Sequence, residues 1–190
     1  GNFKSQTNLI SNPSFERVNA PIDWNSGAFN NATVFPNTQN VINWDWHNSP
    51  DYFSAYVPYT GVYRGIPIND FGQQYPKHDS AYSGIIAYTK MGETKEYIYQ
   101  HLFTPLKADS NYCLRFFVRR ADRTTHSIKI IGAFFSANPP NMSNLYIPAT
   151  PQIVNQNSYI TDTIGWTEIQ GCFTASGGEQ YVTIGNFNSN

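Results

Sequence analysis

Two tryptophans alternate with polar residues in the segment Asn43–Asn48, which reads Asn-Trp-Asp-Trp-His-Asn. Trp44 and Trp46 would share one face if this segment were extended. A flat aromatic ring covers the C–H face of a sugar, while amide, carboxylate and guanidinium groups bind its hydroxyls. We therefore predict a carbohydrate-binding surface within residues 43–75. Its predicted members are Trp46, Tyr52, Tyr59, Tyr63, Arg64 and Gln74.

The same aromatic residues also suit a packing role. Residues 19–80 contain three of the four tryptophans and no regular strand pattern, and a long irregular stretch must be anchored to a core. We expect Trp24, Trp44 and Trp166 to be core residues. The side chains expected to be exposed are Trp46, Tyr52, Tyr59 and Tyr63. If the aromatics serve packing alone, the chain is a structural or adhesion module that makes protein contacts.

Catalytic constellations are weak in this sequence. Glycoside hydrolysis requires two carboxylates about 5–9.5 Å apart, and Glu96, Glu168 and Glu179 lie on or next to predicted strands from which they could meet. The run His78-Asp79-Ser80 is better explained as a turn, and no Gly-x-Ser-x-Gly nucleophile motif occurs. The four histidines lack the spacing of zinc ligands. We therefore predict a protein without enzymatic activity, with a glycan-active hydrolase as the least favoured reading.

Composition and charge exclude several classes of protein. Aromatic residues make up 16% of the 190 residues and charged residues 13%, which is the reverse of a disordered chain. The net charge of −1 gives no basic surface for nucleic acid or anionic lipid. No apolar run reaches the roughly 18 residues of a membrane span. The composition predicts short strands joined by long polar loops.

Alternating apolar and polar residues predict strands, and no apolar stripe with helical spacing is present. The clearest strand is Tyr112–Arg120, in which Leu114, Phe116 and Val118 should face the core. The opposite face of this strand should meet solvent or a groove. The other predicted strands are 85–88, 96–103, 127–135, 166–175 and 181–187, with irregular stretches at 19–80 and 136–160. The pattern predicts one all-β domain over residues 1–190, with residues 1–7 as a tail.

An ordered set of motifs resembles the jelly-roll, galactose-binding-like modules found in secreted and cell-surface proteins of Bacteroidetes. The motifs are Asn8–Glu16, Ser49–Phe53, Glu96–Gln100, Tyr112–Phe116, Ala121–Asp122, Ile131–Ser136, Gly165–Trp166 and Gly177–Phe187. The resemblance covers residues 8–187. It implies a jelly-roll β-sandwich of two antiparallel sheets with long loops, export, and attachment at the cell surface. Such modules often precede a peptidoglycan-binding domain similar to outer-membrane protein A. It also implies a further strand after residue 187, whereas this chain ends at Asn190.

The resemblance further implies a structural calcium ion and a disulfide bond. Calcium binds six to eight oxygen ligands, and the residues that match the related sites are Glu16, Asn12 and Asp79. The alternative for these residues is a salt bridge of Glu16 and a turn at Asp79. Related modules often carry both Cys113 and Cys172, and export would favour their oxidation. The alternative is a pair of free thiols, because a bond requires Cα atoms within about 7 Å.

These observations predict a non-catalytic, exported module that binds a glycan or another surface polymer through residues 43–75. No nucleic acid and no membrane insertion are expected for this domain.

Overall fold

The structure, a computed structural model, describes residues 7–19, 41–56, 64–89, 95–141, 143 and 146–188. Within these residues the chain forms strands and no helix, as the sequence predicts. The strands are β1 (Asp45–His47), β2 (Asp51–Ser54), β3 (Ile68–Asn69), β4 (Gly72–Gln73), β5 (Ala81–Gly84), β6 (Tyr97–His101), β7 (Asn111–Val118), β8 (Gly132–Ser136), β9 (Ile153–Val154), β10 (Thr167–Thr174) and β11 (Tyr181–Gly185). This described part accordingly contains no helix that could span a membrane.

The strands form a five-stranded antiparallel sheet and three two-stranded pairs. The large sheet has the order β1-β6-β11-β8-β9, and the pairs are β7–β10, β2–β5 and β3–β4. One face of the large sheet contributes Phe135 and Val182 to the main core cluster, which Ile169 of β10 also enters. Two sheets that bury apolar faces against each other form the layers of a sandwich. The all-β fold is therefore confirmed, and the arrangement is consistent with a β-sandwich.

Strand β7 shows how the alternation of residues positions the core. Leu114 and Phe116 pack against the main cluster, whereas Cys113 and Arg115 on the other face are exposed. Strand β10 pairs with β7 over its whole length, and this register places Cys172 directly opposite Cys113. The two sulfur atoms are 2.03 Å apart, so the predicted disulfide bond is present.

A second cluster lies between β6 and the β2–β5 pair. It contains Trp44, Tyr52 and Ile98, with Trp46 packed against it. The prediction that Trp44 is a core residue is confirmed. The prediction that Tyr52 is exposed is wrong: only 5% of Tyr52 is accessible, and its hydroxyl donates to the carbonyl oxygen of Phe15 at 3.2 Å.

The strand prediction at 85–88 is also wrong, since β5 ends at Gly84. Strand β5 pairs with β2, and Gly84 lies opposite Asp51, the first residue of β2. The preceding residue is Pro50, which has no N–H group to extend the ladder. Strands β1 to β4 and β9 lie in the stretches that the sequence predicts to be irregular. The predicted strand 127–135 is reduced to β8, with an isolated bridge between Ile128 and Ile160.

Candidate functional site

A cavity of about 490 Å³ opens beside the β2–β5 pair. Its other walls are the β3–β4 hairpin and residues 117–128, which comprise the last two residues of β7 and the segment after it. It reaches the main core at Ile131 and Ile160, both of which are buried. Ligand sites in proteins usually have volumes of about 300–1,000 Å³, so this cavity is large enough for a small organic ligand.

Four rings form one side of the cavity, and we call Phe71, Phe53, Tyr82 and Trp166 the aromatic wall. Phe53 stacks on Tyr82 with centroids 4.8 Å apart, because the β2–β5 register places the two residues opposite each other. Phe71 meets Phe53 edge-on at 5.9 Å, and Trp166 meets Tyr82 edge-on at 5.8 Å. Contacts of this geometry stabilise aromatic pairs beyond the area that they bury. The wall is therefore held in place before any ligand binds.

The prediction that Trp166 is a core residue is wrong. It lies immediately before β10, is half-buried, and lines the cavity. Its indole Nε1 donates to the carbonyl oxygen of Tyr75 at 3.2 Å. This bond fixes the ring orientation and leaves part of the ring surface accessible.

Glycines allow the walls to approach each other. A Cβ atom on Gly84 would lie 2.7 Å from the ring of Phe53, so a side chain there would displace the aromatic wall. Gly72 has a φ of +134°, and a Cβ atom on it would lie 2.5 Å from the side chain of Asp122. A larger residue at Gly72 would therefore push the β3–β4 hairpin away from the opposite wall.

The opposite wall contains residues 119–123, which read Arg-Arg-Ala-Asp-Arg and which we call the arginine segment. Arg119 bonds to the carboxylate of Asp122 and to the carbonyl oxygen of Thr163. Asp122 also accepts a hydrogen bond from the backbone N–H of Gln73 at 2.7 Å. Arg123 donates through its backbone N–H to the carbonyl oxygen of Phe71 at 3.0 Å. These bonds attach the arginine segment to the hairpin.

Three buried polar atoms around the cavity have no hydrogen-bond partner within the described part of the chain. They are Gln74 Oε1, Ser83 Oγ and Arg120 Nε. An unsatisfied buried polar group costs about 1–3 kcal/mol, and a charged group costs more. Three such atoms around one cavity mark it as a place for a ligand with complementary polar groups.

Two ionisable groups of the β2–β5 pair also line this cavity. Burial raises the pKa of Tyr82 to about 12, so its phenol remains protonated and accepts a hydrogen bond from Asn69 Nδ2 at 2.9 Å. Burial also raises the pKa of Asp51, and the guanidinium of Arg64 at 2.8 Å opposes that rise. Asp51 is therefore held as one partner of an ion pair beside the cavity.

The predicted sugar-binding residues do not gather at one place. Gln74 lines the cavity and is buried, whereas Arg64 does not line the cavity and pairs with Asp51 and Asp70. Trp46 is half-buried against the second core cluster and does not line the cavity. Tyr59 and Tyr63 lie outside the described residues. A sugar-binding role for Trp46, Tyr59 and Tyr63 stays a prediction.

The predicted calcium ligands Glu16 and Asp79 come close together in the fold. The carboxylate of Glu16 accepts bonds from the backbone N–H of Ser80 at 2.9 Å and from the Ser80 hydroxyl. Asn12 Oδ1 accepts from the backbone N–H of Arg17 at 2.9 Å. Both side chains thus already have N–H or O–H partners, and the described residues contain no cluster of three His, Cys, Asp or Glu side chains that could hold a metal. Calcium at this position stays a prediction.

Sequence reasoning missed the arginine segment as part of a site. The signal was present, because three of the twelve cationic residues fall within five consecutive positions of a chain with few charges. Phe53 and Phe71 lie within the predicted region 43–75 but are not singled out as site residues, and Tyr82 lies beyond that region; aromatic residues are too common here for their type alone to mark a cavity.

Tyr75 and Ile164 flank a second cavity of about 450 Å³. It shares Gln74 and Trp166 with the first, and Tyr75 and Ile164 are 64% and 89% exposed.

Neither a family model, nor a curated protein, nor a solved structure matches this chain.

Proposed function

We propose that this chain is a non-catalytic carbohydrate-binding module of the jelly-roll, galactose-binding-like type, which works outside the cell. The observation that carries the proposal is the 490 Å³ cavity, which combines an aromatic wall with buried polar atoms that lack partners. Aromatic faces match the C–H surfaces of a sugar, and the polar atoms match its hydroxyls.

The disulfide bond supports the proposed location. Both cysteines are exposed, and stable disulfides are typical of secreted and cell-surface proteins. A surface glycan or another cell-surface polymer is the partner that fits this location. Attachment through a downstream peptidoglycan-binding domain is part of the same proposal and rests on the resemblance.

A glycan array identifies the sugar, and calorimetric titration then tests the site. We expect Trp166→Ala to weaken binding by about five- to tenfold, since an aromatic stack contributes roughly 1–1.5 kcal/mol. Phe103→Ala is the matched control, because Phe103 is an exposed aromatic residue that lines neither cavity. Equal affinity of wild type and Trp166→Ala would refute this placement of the site.

A hydrolase is a second candidate, because the carboxylates of Asp51 and Asp122 both line the cavity. Each is engaged with an arginine, which favours a structural role for both carboxylates. Release of reducing ends from the bound glycan, lost in Asp51→Asn and in Asp122→Asn, would establish the hydrolase instead.

A protein-binding or adhesion module is the third candidate, and Tyr75 and Ile164 favour it. Exposed apolar residues beside a cavity are typical of protein contact sites. Binding of a protein partner that Ile164→Asp abolishes, with no glycan bound by the wild type, would establish this function.

A further inference from the structure

We propose that the cavity binds an acidic sugar, with its carboxylate at Arg120 and one of its hydroxyls at Gln74. This inference rests on the proposed carbohydrate-binding function and specifies the class of the ligand.

The charges that line the cavity do not balance. Asp122 pairs with Arg119, and Asp51 pairs with Arg64, which lies outside the cavity. Arg120 and Arg123 line the cavity, and neither has a carboxylate within 4 Å among the residues that the structure describes. Three arginines (Arg119, Arg120 and Arg123) and two carboxylates (Asp51 and Asp122) line the cavity, so the lining carries a net charge of +1, which favours a ligand with negative charge.

Of the two arginines without a carboxylate partner among the described residues, Arg120 is the one that also has a buried, unpartnered nitrogen. Its Nη1 reaches the carbonyl oxygen of Thr124 at 3.4 Å, and its Nε is buried without an acceptor in the described chain. A guanidinium has only donors, arranged in a planar fork that matches the two oxygens of a carboxylate. A carboxylate is therefore the group that satisfies Arg120 best.

Gln74 makes the opposite demand. Its Nε2 donates to the carbonyl oxygen of Tyr75, which fixes the orientation of the amide and leaves Oε1 as the buried, unpartnered atom. A carbonyl oxygen can only accept, so the ligand must also bring a donor. Ser83 Oγ, the third unpartnered atom, can donate or accept.

A ligand that meets all of these demands carries a carboxylate, a hydroxyl and an apolar face. A neutral sugar leaves Arg120 without its anionic partner. A sulfate ion offers no donor to Gln74 and no apolar face to the aromatic wall. A sugar acid such as a uronic acid has all three groups on one ring, so it is the class that the cavity fits.

Calorimetric titration at neutral pH compares two matched sets of probes. One set is galacturonic acid, its methyl ester and galactose, and the other is glucuronic acid, its methyl ester and glucose. We expect at least one acid to bind about tenfold or more tightly than its ester and its neutral sugar, as for one charge-assisted hydrogen-bonded pair. Arg120→Gln should remove this preference, so that the acid, its ester and the neutral sugar bind this variant with equal affinity. Gln74→Leu should weaken both, since the hydroxyl contact is common to acid and neutral sugar.

Two further variants keep the test independent of folding and of net charge. Arg120→Lys keeps the cation but lacks the planar fork, and it should retain only part of the preference for the acid. Lys107→Gln removes one positive charge in the loop before β7, far from the end of that strand at which the cavity lies, and it should change nothing. Melting temperatures confirm that each variant is folded.

Equal affinity for acid, ester and neutral sugar would overturn the acidic-sugar inference and leave the carbohydrate-binding function intact. An acid preference that survives Arg120→Gln would likewise overturn it. Failure of every sugar to bind the wild type would overturn the inference and the proposed function together.

Discussion

Removal of the disulfide bond tests how β7 and β10 are held together. The perturbation is Cys113→Ser with Cys172→Ser. Both residues are exposed on the outer face of the β7–β10 pair, so serine leaves no cavity in the core. The change therefore acts mainly on the unfolded chain, in which residues 113 and 172 are no longer held together and the loop between them gains conformational freedom.

The size of the effect follows from the length of chain that the bond closes. The cysteines are 59 residues apart in the sequence. In the chain-entropy treatment, a loop of this length contributes about 4 kcal/mol to the free energy of unfolding at 25 °C. A protein of this size loses roughly 2–4 °C in Tm per kcal/mol, so the expected fall in Tm is about 8–16 °C.

Urea denaturation followed by tryptophan fluorescence measures the difference in free energy. Wild type treated with a reductant should match the double variant, because both lack the same bond. Gln170→Ser is the control, since it places serine at another exposed position on the same face of β10 and should change little. A loss below about 1 kcal/mol, or an unchanged midpoint in the reductant, would contradict the chain-entropy reasoning.

Three further perturbations probe the core, a buried carboxylate and the predicted metal. Gly185→Ala places a Cβ atom 2.2 Å from the ring of Tyr97 and should lower the free energy of unfolding, measured by urea denaturation, by about 1–3 kcal/mol or more. Gly65→Ala is the control, because its nearest contact is at 3.6 Å and the free energy of unfolding should change little. Equal losses of stability in the two variants would contradict the packing argument. Burial raises the folded-state pKa of Glu96 above 4.5, so its contribution to stability is greatest below that pH and is lost as the pH rises through the folded pKa. The free energy of unfolding of wild type, measured relative to that of Glu96→Gln, should therefore fall from about pH 4 to about pH 7. A difference that does not change with pH would refute this prediction. If calcium binds at Glu16, the Tm of the wild type should rise with calcium and fall with a chelator, and the Tm of Glu16→Gln should respond to neither. An unchanged Tm of the wild type would mean that Glu16 serves only as a hydrogen-bond acceptor for the 79–83 turn.

The sequence predicts the long strands well because alternation is a local property. Leu114 and Phe116 face the core and Arg115 faces solvent, as the spacing of residues along one strand requires. The irregular region is harder, because strands such as β3 and β4 are two residues long and exist only through their pairing. No periodicity can be read from two residues.

The candidate site follows the same division. Gln74 could be predicted as a polar site residue, but its unpartnered Oε1 depends on the backbone of Tyr75 and on the walls around it. The expected burial of Tyr52 and of Trp166 is reversed in the structure. The β2–β5 register buries Tyr52 in the second cluster, whereas Trp166 lies before β10 and lines the cavity. Residue type predicts which side chains can bind a sugar, and tertiary packing decides which of them face a cavity.

The most direct test of carbohydrate binding at this cavity uses the indole N–H signals of the tryptophans in a ¹⁵N-correlated spectrum, recorded as the sugar selected by the array is added. The Trp166 signal is assigned by its loss in Trp166→Phe. The proposal predicts that this signal shifts in step with binding, while the signal of Trp44, buried in the second cluster, stays in place. Saturable binding that leaves the Trp166 signal unmoved and shifts that of Trp46 would contradict the proposed site.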